Sequence, residues 1–226
     1  MKYDNISEAV FIDRPNRFIA NVLLDGEPVV CHVKNTGRCK ELLIPGCTVY
    51  IQKSDNPLRK TAYDLIGVCK GNKLINMDAA APNALFYEWL SSGGLGFFPE
   101  YIRPECTHGD SRFDFYFEHD GIRAFAEVKG VTLEEDGIVR FPDAPTQRGV
   151  KHLNGLCRCI EEGYEAYAVF IVQMSGTYRF EPNYETHPEF AAALKRAEEC
   201  GVQLLAIQCE VSEDEITPKK YIPICF

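Results

Sequence analysis

Residues 112–129 read RFDFYFEHDGIRAFAEVK, which is two β-rich runs joined by Asp120-Gly121. An Asp-Gly pair between alternating apolar residues is the strongest local signal for a two-residue β-hairpin turn. If these two residues form the turn, the strands pair residue by residue outward from it, and Asp114 lies opposite Glu127. The sequence therefore predicts two carboxylates side by side on neighbouring strands.

The two faces of this hairpin differ in chemistry, because side chains alternate along a strand. One face is apolar, and its residues are Phe113, Phe115, Phe117, Ala124, Ala126 and Val128. The other face carries Asp114, Glu127 and Lys129. Like charges directly opposite each other destabilise a sheet. A divalent cation bound between the two acids would remove that repulsion, and hard oxygen ligands suit Mg²⁺ or Mn²⁺.

We therefore interpret Asp114 and Glu127 as metal ligands and, together with Lys129, as a catalytic set. Lys129 would orient an attacking water or stabilise charge on a phosphate oxygen. The alternative is a charge network without metal, in which Arg112 pairs with Glu127 and Lys129 pairs with Asp114, since cross-strand ion pairs are common. A turn slipped by one residue would separate the two acids onto opposite faces.

Composition narrows the class of protein. The chain has 226 residues, of which 46% are hydrophobic and 25% charged, as in ordinary globular proteins. We find no apolar run long enough to cross a bilayer and no secretion signal at the N-terminus, so we expect a cytoplasmic protein without a membrane partner. The ten cysteines are scattered without a Cys-x-x-Cys pair, which predicts reduced thiols rather than a zinc site.

Charge alone does not decide whether nucleic acid is a partner. The net charge of −9 argues against it. However, residues 1–80 contain 11 lysines and arginines against 9 acids, whereas residues 81–226 contain 13 against 24. The local clusters of charge must therefore decide.

The pattern of apolar residues divides the chain after residue 80. Short strand-like runs over residues 1–80 predict a compact β-barrel, and they cover 17–24, 28–34, 47–53 and 61–70, with a helical turn near 40–43. Residues 81–226 predict an α/β sandwich with a mixed sheet. Its expected helices are 82–90, 145–162 and 188–200, and its expected strands are 101–107, 112–119, 122–129, 138–141, 165–173 and 202–211.

Basic side chains in both parts are candidate nucleic-acid contacts. Those of the first part are Arg14, Arg17, Lys34, Arg38 and Lys40, and a barrel can bind single strands with such a basic groove. We assign Phe18 to core packing rather than to base stacking.

Those of the second part lie on the helix after the hairpin, where Gln147 shares a face with Lys151 and Arg148 with His152. We expect this face to be exposed, opposite a buried stripe of Val150, Leu153, Cys157 and Ile160. Contacts to phosphate and simple solvation of the helix both fit such a face.

Two resemblances add to this reading. Asp114 and the Glu127-Val128-Lys129 run resemble the PD-(D/E)xK nuclease superfamily, in which an Asp ends one strand and an acid-x-Lys lies on the next. The stretch 141–153, FPDAPTQRGVKHL, is more specific. Together with Asn35-Thr36-Gly37-Arg38 and Arg17-Phe18, it is similar to the sugar fermentation stimulation protein family (SfsA), over nearly the whole chain. The resemblance implies an OB-like barrel followed by a restriction-endonuclease-like domain with a mixed central sheet, and DNA binding.

The superfamily resemblance also implies a further acidic ligand, for which Glu88 and Glu105 are both candidates. Asp143 is either another metal-site acid or the N-cap of the helix after it. Some relatives place a Gln and a Tyr four residues apart on that helix, but here Lys151 stands at the tyrosine position.

These observations predict a DNA-binding protein, for single or double strands, with a Mg²⁺- or Mn²⁺-dependent site that cleaves phosphodiesters. The alternative is a non-catalytic DNA-binding regulator of sugar (maltose) metabolism genes on a nuclease-like fold.

Overall fold

The structure is a computed structural model, and it describes residues 1–35 and 37–226. Its first six strands form one sheet in the order β3-β2-β1-β4-β5-β6. These strands are β1 (Ile6–Asn16), β2 (Ile19–Leu24), β3 (Glu27–Val33), β4 (Thr48–Lys53), β5 (Tyr63–Lys70) and β6 (Lys73–Asn76). A parallel pairing of β3 with β5 closes the first five strands into a barrel. The expected OB-like barrel is confirmed.

The long first strand β1 was not predicted from the sequence. It contains Pro15, and its pairing with β2 shifts register twice between Phe11 and Asn16, so its side chains do not alternate regularly. The predicted strand 17–24 begins two residues later, at Ile19, because Arg17 and Phe18 form the turn between β1 and β2. Phe18 is 45% exposed, so its assignment to the core was wrong.

The second part of the chain contains a six-stranded sheet in the order β15-β14-β12-β9-β8-β7. Its strands are β7 (Tyr101–His108), β8 (Ser111–His119), β9 (Ile122–Val131), β12 (Glu165–Val172), β14 (Gln203–Val211) and β15 (Ile216–Ile222). Strand β12 is parallel to both β9 and β14, whereas β8 is antiparallel to β7 and β9. The sheet is therefore mixed, as predicted.

Three helices and a smaller sheet accompany this large sheet. The helices are α1 (Ala81–Ser91), α2 (Gln147–Glu161) and α3 (Pro188–Glu199), and the small sheet consists of β10 (Leu133–Glu135), β11 (Ile138–Phe141) and β13 (Arg179–Pro182). Strands β6, β10, β13 and β15 were not predicted. The first three are four residues or shorter, and β15 contains a proline and two lysines. Their strand conformation therefore depends on pairing with neighbouring strands more than on their own sequence pattern.

Helix α2 begins at Gln147, and Thr146 is its N-cap, with a side chain that accepts a hydrogen bond from Gly149 N at 3.0 Å. The N-cap role considered for Asp143 is therefore wrong; Asp143 is exposed and lies outside the helix. An N-cap of this kind stabilises a helix by about 1 kcal/mol.

The buried face of α2 differs from the predicted stripe. Leu153 is buried as expected, but Val150, Cys157 and Ile160 are only partly covered, and His152 is 5% exposed. The helix is rotated toward the sheet by close contact at Gly155. A Cβ atom there would lie 2.7 Å from Ser111 Oγ and 3.0 Å from the Phe113 ring. The expected exposure of His152 was therefore wrong.

The chain forms two compact units. The first unit comprises Met1–Ala81 with Gln173–Gly176 and Cys209–Thr217, and the second comprises Pro82–Val172, Thr177–Gln208 and Pro218–Phe226. The first unit thus includes two segments that lie beyond a single division after residue 80. Within the described ranges, no helix combines the length and apolar character that crossing a membrane requires.

Candidate active site

The predicted hairpin is present with the predicted register. Asp120 and Gly121 both have positive φ angles, 49° and 75°, as the mirror-image turns of two-residue hairpins require. Strands β8 and β9 pair regularly from this turn as far as Phe115 opposite Ala126. One pair further along, the register brings Asp114 toward Glu127.

The backbone pairing of β8 with β9 ends at Asp114. There the side-chain carboxylate of Asp114, rather than a backbone carbonyl of β8, accepts the hydrogen bond from β9. Asp114 Oδ2 accepts a hydrogen bond from the backbone N–H of Val128 at 2.8 Å. Its other oxygen, Oδ1, accepts from Asn83 Nδ2 of α1 at 3.1 Å. Both partners are uncharged, so the negative charge of Asp114 is not neutralised by them.

The alternation of β8 also changes here. Phe115 packs against Phe86 of α1, with ring centroids 5.4 Å apart, whereas Phe113 contacts the ring of Phe125 at 5.3 Å. The simple alternation placed Phe113 and Phe125 on opposite faces, which was wrong. The break lies at Asp114, whose carboxylate reaches toward the amide of Val128 on β9.

Glu127 is 4% exposed because β9 is covered on both of its faces. Its Oε1 accepts hydrogen bonds from Lys129 Nζ and from His152 Nδ1 of α2. Its Oε2 is buried and has no hydrogen-bond partner among the described residues. A buried carboxylate oxygen without a partner is costly in a folded protein, and such an atom calls for an explanation.

His152 is held at both ring nitrogens. Nδ1 faces Glu127, and the Nε–H of Arg148 donates to Nε2 over 3.4 Å. A ring nitrogen that accepts a hydrogen bond carries no proton, so we assign Nδ1 as the donor to Glu127. His152 and Lys129 therefore donate to the same oxygen of Glu127, and Arg148 in turn donates to His152.

The two acids have opposite pKa shifts. Burial raises the pKa of Asp114, and the nearby charge of Glu127 raises it further. Burial also acts to raise the pKa of Glu127, but the hydrogen bond from His152 and the charge of Lys129 outweigh it and hold the pKa below its ordinary value. The site therefore keeps Glu127 ionised and disfavours a second negative charge on Asp114 unless a cation is present.

The alternative charge network does not form as predicted, because neither of its two ion pairs is present among the described residues. Arg112 pairs with Glu105 at 2.7 Å and not with Glu127. Lys129 pairs with Glu127 rather than with Asp114. One acid of the pair is thus neutralised and the other is not.

The residues present fit a divalent cation with few protein ligands. The described part of the chain contains no cluster of three or more His, Cys, Asp and Glu placed to hold a metal. However, Mg²⁺ commonly takes one or two carboxylates and completes its shell with water and phosphate. The bare Oε2 of Glu127 and the neighbouring carboxylate of Asp114 are such a pair.

Three further acids were considered as ligands. Glu105 is exposed, has a positive φ of 56°, and forms the ion pair with Arg112. Glu88 is exposed on α1, about 140° around the helix from Asn83, the α1 residue that bonds Asp114. Asp143 is also exposed. Their roles as ligands stay predictions, and the buried pair does not depend on them.

Of the candidate phosphate contacts on α2, Gln147, Arg148 and Lys151 are exposed. Gln147 Nε2 donates to Glu189 of α3 at 2.9 Å, and Lys151 Nζ donates to the carbonyl of Asp110 at 2.7 Å. Arg148 lies closest to the carboxylate pair, through His152. No local pattern indicates the contact between His152 and Glu127, because the two residues are 25 positions apart.

In the first unit, two of the five predicted basic contacts have structural partners. The Arg14 guanidinium donates to four backbone carbonyls, at 2.6 to 2.8 Å, including those of Asn35, Gly37 and Arg38. Lys34 forms an ion pair with Asp78, a residue that is 0% exposed. Both cations therefore stabilise the fold through these contacts, and we do not propose them as phosphate contacts.

The other three cations, Arg17, Arg38 and Lys40, are exposed and line a groove of about 400 Å³. The Arg17 guanidinium lies 4.8 Å from the centre of the exposed Phe18 ring. Among the motif residues of this loop, Thr36 lies outside the described residues. The groove thus carries positive charge, and the accessible Phe18 ring lies next to one of its lining residues, Arg17.

The fold and site together define a class: a closed β-barrel followed by a mixed-sheet domain in which two carboxylates meet where paired strands diverge. The chain belongs to the sugar fermentation stimulation protein family. Residues 12–77 match the model described as the SfsA N-terminal OB domain, and residues 80–215 match the sugar fermentation stimulation protein RE domain.

Relatives match over nearly their full length. The sugar fermentation stimulation protein homolog of Clostridium beijerinckii is 56% identical over 224 residues, and 99% of each chain is covered. That of Desulfitobacterium hafniense is 55% identical over 226 residues, with 99% of this chain and 98% of the relative covered. A solved structure, described as that of Pyrococcus furiosus SfsA in complex with Ca²⁺, is 27% identical with a TM-score of 0.89, and the match covers 100% of this chain and 98% of that one.

Proposed function

We propose that this protein is a cytoplasmic DNA-binding protein that cleaves phosphodiesters with Mg²⁺ or Mn²⁺ at the Asp114–Glu127 pair. One observation carries the proposal: Glu127 Oε2 is buried and has no hydrogen-bond partner within residues 1–35 and 37–226. Beside it lies the carboxylate of Asp114, whose pKa is raised by burial and by the charge of Glu127. A divalent cation would satisfy the bare oxygen and the uncompensated charge together.

Asp114 and Glu127 would hold the ion, which when bound activates water and stabilises the leaving oxygen in phosphodiester hydrolysis. The Ca²⁺ named with the Pyrococcus furiosus relative supports a site for hard divalent cations in this fold. Ca²⁺ and Mg²⁺ both take oxygen ligands and differ mainly in size and rigidity of coordination.

The residues around the pair have separate tasks in this proposal. His152 and Lys129 bind Glu127 Oε1 and so fix which oxygen stays available. Asn83 and the Val128 amide fix the Asp114 carboxylate. Lys129, with a side chain 26% exposed, is the cation that can also approach a phosphate oxygen. Arg148, exposed at the N-terminal end of α2, would contact a further phosphate.

Nucleic acid would also contact the groove of Arg17, Arg38 and Lys40. Three cations and one accessible ring predict modest binding that weakens with salt.

The test is a panel of labelled single-stranded and double-stranded DNA, incubated with the protein and either Mn²⁺ or EDTA. We expect products with Mn²⁺ and none with EDTA. Intact DNA under both conditions, with binding retained, would instead support the regulator. In the part of the chain that the structure describes, the site brings together two acids, one of them already paired with Lys129, and this small number favours the second candidate.

Replacing His152 with alanine should weaken Mn²⁺ binding by roughly 10- to 100-fold, as loss of a residue that orients a metal ligand does. Without the imidazole, Lys129 alone holds Glu127 Oε1, so the orientation of the carboxylate is less well fixed. Isothermal titration with Mn²⁺ measures the affinity. His108→Ala is the control, because His108 pairs with the surface residue Glu162. Equal affinity in both variants would show that His152 does not position the ligand.

Binding of single-stranded DNA by Arg38→Ala should depend less steeply on salt. The negative slope of the log of the binding constant against log salt should become smaller in magnitude by about 0.7, the value of one lost phosphate contact. Fluorescence anisotropy over a salt series measures this slope. Arg14→Ala is the comparison: we expect it to lower thermal stability, because its guanidinium holds four carbonyls. An unchanged slope for Arg38→Ala would exclude the groove as a phosphate contact.

A further inference from the structure

Helices α2 and α3 lie side by side and run in the same direction. Near their N-terminal ends, Gln147 Nε2 bonds Glu189 at 2.9 Å, and a Cβ atom on Gly149 would lie 3.1 Å from the Phe190 ring. At their C-terminal ends, a Cβ atom on Gly201 would lie 3.8 Å from Ile160. These contacts fix the relative height of every residue along the two helices.

This alignment brings Cys157 and Cys200 to nearly the same level. Cys157 is ten residues beyond Gln147, and Cys200 is eleven residues beyond its partner Glu189, which is about 15 Å and about 16.5 Å along the two helices. On α2, Gly149, Leu153, Cys157 and Ile160 are spaced four, four and three apart, so they share one stripe. On α3, Phe190, Ala193, Ala197 and Cys200 are spaced three, four and three apart. Both stripes begin or end at an observed interhelical contact, and each contains one cysteine.

The two thiols are in contact across this seam. A hydrogen bond with Cys200 contributes to the raised pKa of Cys157, which burial and this contact bring to about 11. Cys200 is exposed at the C-cap of α3 and Cys157 is partly buried. Gly201, the residue after Cys200, has a positive φ of 96° and lies against Ile160, so the end of α3 packs on α2 beside Cys157. A disulfide needs roughly 4.4 to 6.8 Å between the two Cα atoms.

We propose that Cys157 and Cys200 are a redox-active dithiol that a small-molecule disulfide, such as oxidised glutathione, converts to an interhelical disulfide. The exposed Cys200 thiolate attacks the small disulfide, so a bond to Cys200 Sγ forms and one glutathione thiolate leaves. The Cys157 thiolate then attacks Cys200 Sγ and releases the second glutathione. The protein loses two protons and two electrons, and one glutathione disulfide is reduced to two thiols.

The order of the two steps follows from the environment of each sulfur. The raised pKa of Cys157 leaves little thiolate at neutral pH, and its partial burial restricts collision with an oxidant. Once Cys200 carries the mixed disulfide, however, the attack by Cys157 is intramolecular. The bond would fix α2, which carries Arg148 and His152, to α3 by a link between residues 43 positions apart.

Oxidised glutathione is added to the full-length protein, remaining thiols are alkylated, and cysteine-linked peptides are mapped by mass spectrometry. We expect a Cys157–Cys200 linkage and, because it closes a long loop, a Tm raised by roughly 5 to 15 °C. Cys159→Ser is the matched control on the same helix, and it should retain the linkage because Cys159 is buried.

In Cys157→Ser, the mixed disulfide should accumulate on Cys200, since no second thiol resolves it. A mixed disulfide on Cys200 as the final product of the unaltered protein would overturn the proposal, as would a linkage between other cysteines. Both of these outcomes are measured on the unaltered protein, so the proposal can be tested even if a variant fails to fold.

Discussion

Asp114→Asn should cleave DNA roughly 10³-fold more slowly than the unaltered protein at saturating Mn²⁺, a loss of about 4 kcal/mol of transition-state stabilisation. The amide keeps the shape of the carboxylate, and its oxygen can still accept the bond from Val128 N. It removes the negative charge and one strong metal ligand. The measurement is a single-turnover rate with the labelled DNA that is cleaved best.

Stability separates this effect from a loss of folding. Because the substitution removes the repulsion with Glu127, we expect the variant without metal to melt at the same temperature as the unaltered protein or higher. Asp120→Asn is the matched control: it makes the same substitution at an exposed acid in the turn of the same hairpin and should leave the rate unchanged. A normal rate in Asp114→Asn, or an equal loss in both variants, would contradict the assignment.

Asp78→Ala should lower the free energy of unfolding by roughly 3 to 5 kcal/mol, the usual result of removing one partner of a buried ion pair. Asp78 is 0% exposed and binds Lys34, the Tyr3 hydroxyl and the backbone N–H of Ala80. Its loss leaves the Lys34 ammonium without a counter-ion. Urea denaturation of the full chain measures the change.

Two variants test the cause of this loss. Asp55→Ala, at an exposed position, should change stability by less than about 0.5 kcal/mol. Lys34→Met combined with Asp78→Ala should recover part of the loss, because neither charge is then left alone. If Asp78→Ala cost no more than Asp55→Ala, Lys34 would be available to phosphate after all, and our reassignment of it would be wrong.

The hairpin was predictable because its information is local. Asp120-Gly121 fixes the turn, the turn fixes the register, and the register places Asp114 near Glu127 without knowledge of the rest of the chain. The barrel and the mixed sheet were predictable for a similar reason, since their longer strands other than β1 alternate or are uniformly apolar. The family resemblance pointed to the same architecture.

The surroundings of the two acids were not predictable in this way. The role of His152 depends on the rotation of α2, which the close approach at Gly155 sets and which no helical pattern reveals. Asn83 reaches Asp114 from a helix 31 residues earlier in the chain. Arg14 and Lys34 resembled surface cations in the sequence, but each of them meets its partners only after the barrel closes. Contacts between distant segments therefore account for most of the differences.

The proposed cleavage requires an ion between Asp114 and Glu127, and a crystal soaked in Mn²⁺ tests for this ion most directly. We expect an anomalous peak about 2.1 Å from Glu127 Oε2 and within coordination distance of an Asp114 oxygen, with Lys129 and His152 still on Oε1. At saturating Mn²⁺, the absence of a peak there, with Oε2 instead bonded to water or to a protein donor, would contradict the account.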